Sequence, residues 1–337
     1  MDWFEKLTGF REANYEDTRA MLAVEGSRLR SLVNGKNYGI GELELVSLQA
    51  LLERAKAGVE LPGRLKVSVV RGDIRKMHQS PENARALFQV ASQFNLLEMT
   101  SYQVTPEHGV TGYQHDHTQG PACAIAAGAA TIYRNYFAPL GGRQGQTKDR
   151  QFDGLADLGN ALSNALGRPV NALWKMQNGY ALCTSTGLDA ITGHLGKLDS
   201  EGLDQLCSKL CIGIHRDIEV TDAEGEDRPL VSQAFCSALP VAYTQIPPSR
   251  WKAFASLVLQ AAYEATMWAS VQNAQRGASN VVLLTSLGGG AFGNDENWIH
   301  DAMWRALKMM SKIELDVRLV SYGVPSKALM QMAEAFD

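Results

Sequence analysis

Near its carboxyl end the chain runs from an apolar stretch, Val281-Val282-Leu283-Leu284, into Gly288-Gly289-Gly290-Ala291-Phe292-Gly293-Asn294 and then a helical pattern. A strand that empties through a glycine turn into a helix demands an α/β unit, with the turn at the edge of a sheet. Glycines admit positive φ and let backbone N–H groups converge on an anion, and a helix start adds its own unpaired donors and dipole. The turn therefore reads as a phosphate cradle, with a merely structural glycine turn as the alternative. Residues 288–293 also satisfy G-x-G-x-x-G. A Rossmann fingerprint, however, opens the first βα turn with further units to follow, and here fewer than fifty residues remain. No Gly-Lys-Ser or Gly-Lys-Thr follows the glycines, which argues against a nucleoside-triphosphate P-loop.

At 337 residues and 45% hydrophobic content, the chain can bury the core of one large domain or two moderate ones. The amino terminus has acids and no apolar h-region, and the uncharged run 122–130 is too short to span a bilayer. The expectation is a cytoplasmic protein, or one exported without a visible signal, with no membrane partner. A net charge of −4 without a Lys/Arg cluster argues against nucleic acid, so an anionic ligand must be held by local backbone donors. The five cysteines lie in apolar stretches and read as reduced, buried thiols. Cys207 and Cys211 have helical spacing but only His215 nearby, and His115 and His117 would point to opposite sides of an extended segment. Neither a metal nor a cofactor is expected.

Along the chain, Leu22, Leu29 and Leu32, then Leu45, Leu48, Leu51 and Leu52, suggest helices over 15–58, hence an N-terminal helical extension over 1–60. Strand patterns follow at 65–70 and 86–91, a helix at 154–167 closed by Gly167 and Pro169, and strands near 180–183, 211–220 and 231–243. Past Pro247-Pro248, a long amphipathic helix carries Trp251, Phe254, Val258, Ala261, Ala265 and Trp268 as core. The final βαβ unit is a strand at 281–287, a helix from Asp295 to Met310 and a strand at 315–322.

Two further segments are candidates for chemistry. Asp73, in Arg71-Gly72-Asp73-Ile74 at the end of a strand, can accept from an exocyclic amine, or can simply satisfy its own turn. The stretch Ala91-Ser92-Gln93-Phe94-Asn95-Leu96-Leu97-Glu98, with residues 105–121 after it, supplies Glu98, Glu107 and Asp116. These are enough carboxylates for one to polarise a water while another faces a developing cation, as glycosidic chemistry requires; a solvated loop is the alternative.

In this order, Gly-Asp-Ile, Ala-Ser-Gln-Phe-Asn and the glycine turn before the last helix and strand, the chain resembles a macrodomain over about 65–323. Through residues 91–98, 109–135 and Met176-Gln177-Asn178-Gly179-Tyr180 it most resembles the MavL-like ADP-ribosylhydrolases. The resemblance implies a mixed sheet flanked by helices in three α/β/α layers over 61–337, with an enlarged middle region near 139–250. It implies a cleft for ADP-ribose: Asp73 and Ile74 at the adenine, Gly288, Gly289, Gly290, Ala291 and Gly293 at the diphosphate with Phe292 beside the distal ribose, Asn95 approaching that ribose, and Gln119, Asn294 and Tyr322 completing the shell. It further implies hydrolysis of the bond to a modified side chain, arginine first, with Asp116, Glu98 and Glu107 as catalytic acids. The partner would be an ADP-ribosylated protein, ADP-ribosylated ubiquitin among the candidates. Where the family more often has an acid after Thr105-Pro106-Glu107, this chain has His108, which leaves that role to Glu107 or vacates it. The runner-up is a non-catalytic ADP-ribose reader, and a dinucleotide oxidoreductase is more distant.

Overall fold

The computed structural model describes residues 1–225 and 227–336. Seven strands form one mixed sheet: β1 (Glu42–Ser47), β2 (Lys66–Arg71), β3 (Leu87–Ala91), β4 (Cys211–Glu219), β5 (Leu230–Cys236), β6 (Val281–Leu284) and β7 (Asp316–Ser321), in the order β1-β4-β5-β3-β6-β7-β2. From β5 to β2 all neighbours are parallel, while β4 runs antiparallel to both β5 and β1.

Strand residues are apolar on both faces, as a sheet covered on both sides requires. Leu87, Val282 and Leu284 pack into one core with the helices α1 (Leu48–Ala57), α5 (Pro248–Gln275) and α6 (Glu296–Met309). Their neighbours Phe88, Val90 and Leu283 pack into another core with Ile74 of α2 (Ile74–Gln79), Cys123 of α3 (Gln119–Ala126) and Ala130 of α4 (Gly128–Tyr136). This is the three-layer α/β/α arrangement that the resemblance implies. The expected stripe of α5 is buried from Trp251 to Ala265, with Trp268 half-buried.

Two expectations need correction. Of residues 15–58, only Tyr15–Ala20 and α1 are α-helical; Leu22–Glu25, Arg28–Ser31 and Asn37–Gly39 form a small antiparallel sheet. The governing signal was period two, with Leu29 and Ser31 buried between the exposed Arg28 and Arg30, and with turns at Gly26 and Gly35, both at positive φ. Leu32, counted in the helical stripe, is 55% exposed. Because β1 is the edge strand of the main sheet, residues 1–60 are also not an appended helical extension. The second correction concerns 139–250, whose last part supplies β4 and β5 from within the sheet, so that only the portion before Cys211 is added around it.

Candidate active-site cleft

The parallel strands end on one side of the sheet, where open α/β sheets place their ligands. There, Ala91 at the end of β3 with Ser92 and Gln93 after it, Ala238 after β5, and residues 285–288 and 290–292 after β6 line one lobe of a cleft. Gly72, Asp73 and Ile74 after β2, with Val320 and Tyr322 at the end of β7, line the other. Asp116, Thr118, Gln119 and Thr285 border both lobes, so the two form one continuous groove.

The glycine turn is held from outside and left open within. Gly288 sits at φ 75°, and a Cβ there would lie 2.4 Å from the Ala238 Cβ, so the left-handed backbone and the close approach both require glycine. Asn294 donates to Leu239 O at 2.8 Å, and its backbone N–H donates to Gly288 O at 3.0 Å. Among the described residues, the N–H groups of Gly288, Gly290, Ala291 and Phe292 donate to no protein acceptor. Unpaired backbone donors on residues that line a groove are what an anion needs. The first turn of α3 faces the same groove, its Thr118 cap making no side-chain bond to the helix.

That helix approaches very closely, since a Cβ on Gly120 would lie 2.0 Å from Ala91 O. Gln119 then uses its amide as an extra piece of strand, accepting from Ala91 N–H and donating to Gln89 O, each at 2.8 Å. Glu98 lies on the inner wall of the first lobe, its side chain wholly buried. One terminal nitrogen of Arg134 donates to both its oxygens at 2.9 and 3.0 Å, while Arg134 Nε donates to Leu96 O at 3.0 Å. The guanidinium lies over the Phe235 ring, 3.9 Å from its centroid. Burial pushes the Glu98 carboxyl up to about 7, against the downward pull of Arg134. Asp116, which lines the same lobe, accepts at Oδ1 from Thr118 N–H at 2.8 Å. Phe292 closes the lobe in an aromatic cluster with Tyr180 and Tyr243, at centroid distances of 5.2 and 5.5 Å.

Of the residues named from sequence, the fold brings Glu98, Asp116, Gln119, Gly288, Gly290, Ala291 and Phe292 to one lobe, and Asp73, Ile74 and Tyr322 to the other. Asp73 also caps α2, accepting from Arg75 N–H at 2.9 Å. Glu107 does not reach the groove wall; its carboxylate accepts from the Lys148 N–H at 2.9 and 3.0 Å. Next to it, His108 Nδ1 accepts from Thr105 N–H at 3.1 Å, so the departure from the family pattern serves as a turn cap. Asn95 is fully buried, donating to Gln151 and accepting from Leu97 N–H. Gly289, Gly293 and Asn294 shape the turn from behind. Cys207 and His215 are buried and Cys211 approaches Asp157, and among the described residues no three His, Cys, Asp or Glu side chains converge as metal ligands.

Sequence reasoning missed Arg134 and Tyr113. A lone arginine inside the apolar helix α4 was the available signal, since a buried cation requires a partner. Tyr180 was read as part of a strand and of the block 176–180 that carries the resemblance, without a place in the site. It follows an Asn178-Gly179 turn with φ of 46° and 80° that joins the hairpin Trp174–Gln177 and Tyr180–Cys183, a legible two-residue turn.

No known protein-family profile matches the chain, and no curated protein matches it. Among solved structures, the chain is similar to the poly(ADP-ribose) glycohydrolase of Deinococcus radiodurans in complex with ADP-ribose, at 9% identity over 87% of this chain and 94% of that one, with a TM-score of 0.45. It is also similar to the poly(ADP-ribose) glycohydrolase of Thermomonospora curvata, at 11% identity over 95% of this chain and 94% of that one, with a TM-score of 0.43. No helix among the described residues is long and apolar enough to cross a membrane.

Proposed function

We propose that this protein is a MavL-like ADP-ribosylhydrolase that removes ADP-ribose from a modified protein side chain, with mono-ADP-ribosyl-arginine as the linkage and ADP-ribosylated ubiquitin as the first substrate to test. The observation that carries the reading is that four unpaired backbone donors of the glycine turn open onto the same lobe as Glu98 and Asp116. In this reading the adenine lies between Asp73, Ile74 and Tyr322, and the diphosphate spans the N–H groups of residues 288–292. The distal ribose meets Phe292, with its anomeric carbon between the two carboxylates. Glu98, poised near pH 7, takes a proton from water as the oxygen bonds to the anomeric carbon, and that proton passes to the departing guanidine nitrogen. Asp116 faces the oxocarbenium-like centre. The two products are free ADP-ribose and the unmodified side chain.

A non-catalytic reader is the second reading, favoured by the occupation of both Glu98 oxygens by Arg134. The test is release of free ADP-ribose from protein carrying a defined arginine linkage, with poly(ADP-ribose) as a parallel substrate. The wild type is compared with Asp116→Ala and Glu98→Gln, and ADP-ribose affinity is measured by calorimetry. Turnover lost in either variant with affinity retained supports the hydrolase. Tight ADP-ribose binding without release from any of these substrates favours the reader.

A further inference from the structure

Glu12, in the segment before the small N-terminal sheet, reaches across to the loop that carries Asp116. Its carboxylate accepts from Val110 N–H at 2.8 and 3.0 Å, from Thr111 N–H at 2.7 Å and from the Tyr136 hydroxyl at 2.8 Å. The loop is shaped for this group: Gly109 has φ 81°, and a Cβ there would lie 2.4 Å from the Glu12 carboxyl carbon. Trp3 adds a bond from its indole N–H to Thr111 O at 3.3 Å. From Thr111 the chain makes one 3₁₀ segment, Thr111–His115, and delivers Asp116 to the groove. Within that segment, the Tyr113 hydroxyl accepts from the Glu98 backbone N–H at 3.2 Å. One short loop therefore bonds the Glu98 backbone and leads into Asp116, and one carboxylate from outside the site fixes that loop.

We infer that Glu12 is a positioning residue for the reaction, holding residues 109–116 so that Asp116 and Glu98 face each other across the bound ribose. This rests on the hydrolase reading. An anion that accepts from successive backbone N–H groups and a hydroxyl fixes the local backbone through charge-assisted bonds. Misplacing a reacting group by about 1 Å costs on the order of 100-fold in rate. Glu12 touches neither lobe, so its loss acts on geometry at Asp116 and leaves the adenine and diphosphate contacts in place.

The experiment compares Glu12→Ala, Glu12→Gln and Tyr136→Phe with Glu16→Ala, an exposed control on the same segment. Three quantities are measured: kcat and KM for ADP-ribose release, ADP-ribose affinity, and hydrogen exchange at the amides of residues 109–116. The inference expects Glu12→Ala to lower kcat by about 10- to 100-fold, with ADP-ribose affinity within about threefold, a ratio worth roughly 0.7 kcal/mol. It also expects faster exchange at Val110 and Thr111, partial recovery in Glu12→Gln and no change in Glu16→Ala. Wild-type kcat in Glu12→Ala, or unchanged exchange at 109–116, overturns it. Should Glu12→Ala fail to fold, Glu12→Gln and Tyr136→Phe decide by the same criteria. A wild type that turns over no substrate refutes the hydrolase reading and with it the catalytic role of Glu12, whereas unchanged exchange refutes the clamp itself.

Discussion

Replacing Arg134 by Met would remove the one cation that, among the described residues, bonds the buried Glu98, while keeping most of the side-chain volume. In the wild type Arg134 makes two bonds to the carboxylate, one to Leu96 O and a ring contact with Phe235. Breaking a buried pair from one side costs about 3–5 kcal/mol, because it strands the other charge. The cost depends on pH, and its sign is fixed. Burial already raises the Glu98 carboxyl to about 7, so its contribution to stability is complete below the unfolded pKa and fades as pH rises through about 7. Arg134 pulls that carboxyl down; without it the native pKa rises further and native-state stability continues to fall above pH 7. The difference between wild type and Arg134→Met should therefore be smallest near pH 5, where Glu98 is neutral in both folded proteins. It should grow by about 1.4 kcal/mol per pH unit above 7 until the new pKa is reached. Urea unfolding followed by tryptophan fluorescence at pH 5, 7 and 8 measures this, with the pH dependence of all other groups cancelling in the difference. Measured against Glu98→Gln, the double variant Arg134→Met/Glu98→Gln should lose the pH-dependent part. A difference equal at pH 5 and 8, or a pH dependence that survives in the double variant, would refute the electrostatic reasoning.

If Glu98 is the base, kcat/KM for ADP-ribose release rises with pH through about 7, and a flat profile from pH 5.5 to 8.5 would exclude it from the proton step. Gly288→Ala places a left-handed alanine against Ala238, costing about 1–2 kcal/mol for the backbone and about 1–3 kcal/mol for the overlap. It should weaken ADP-ribose binding as well, whereas Gly290→Ala, with open space around its Cβ, should change unfolding free energy by less than about 0.5 kcal/mol. Glu107→Ala removes only the bonds to the Lys148 N–H; it should cost about 0.5–1.5 kcal/mol in chemical denaturation and leave kcat unchanged, and a large loss of turnover would return Glu107 to the site. Tyr322 is 83% exposed at the mouth of the second lobe, so Tyr322→Ala should reduce ADP-ribose affinity without moving the unfolding midpoint.

Much of this architecture was legible because its signals are local. The strand, glycine turn and helix from Val281 to Met310 lie where the pattern put them, since apolar runs, turn glycines and the Asp295 cap act on their own neighbours. The N-terminal strands were misread because Leu22 and Leu29 fit a helical stripe by accident, while the stronger evidence lay in the Gly26-Ser27 hairpin turn. Glu107 and Asn95 were misplaced for a different reason. Polar residues in a functional loop look alike in sequence, and whether one faces the groove or bonds the neighbouring backbone depends on what packs beside it. Lys148 and Gln151, both far along the chain, decided those two cases.

The sequence by itself determined the α/β class, the carboxyl-terminal βαβ unit and a turn able to present free N–H groups to an anion, because propensity, periodicity and glycine stereochemistry operate over a few residues. Only the tertiary structure decided that β1 belongs to the sheet and that Gly120 lets α3 close onto Ala91. It alone paired Arg134 with Glu98 to hold a carboxyl near neutrality, and brought Glu12 to the loop bearing Asp116. Those outcomes depend on desolvation and on hydrogen bonds between residues distant in the chain, which no local pattern encodes.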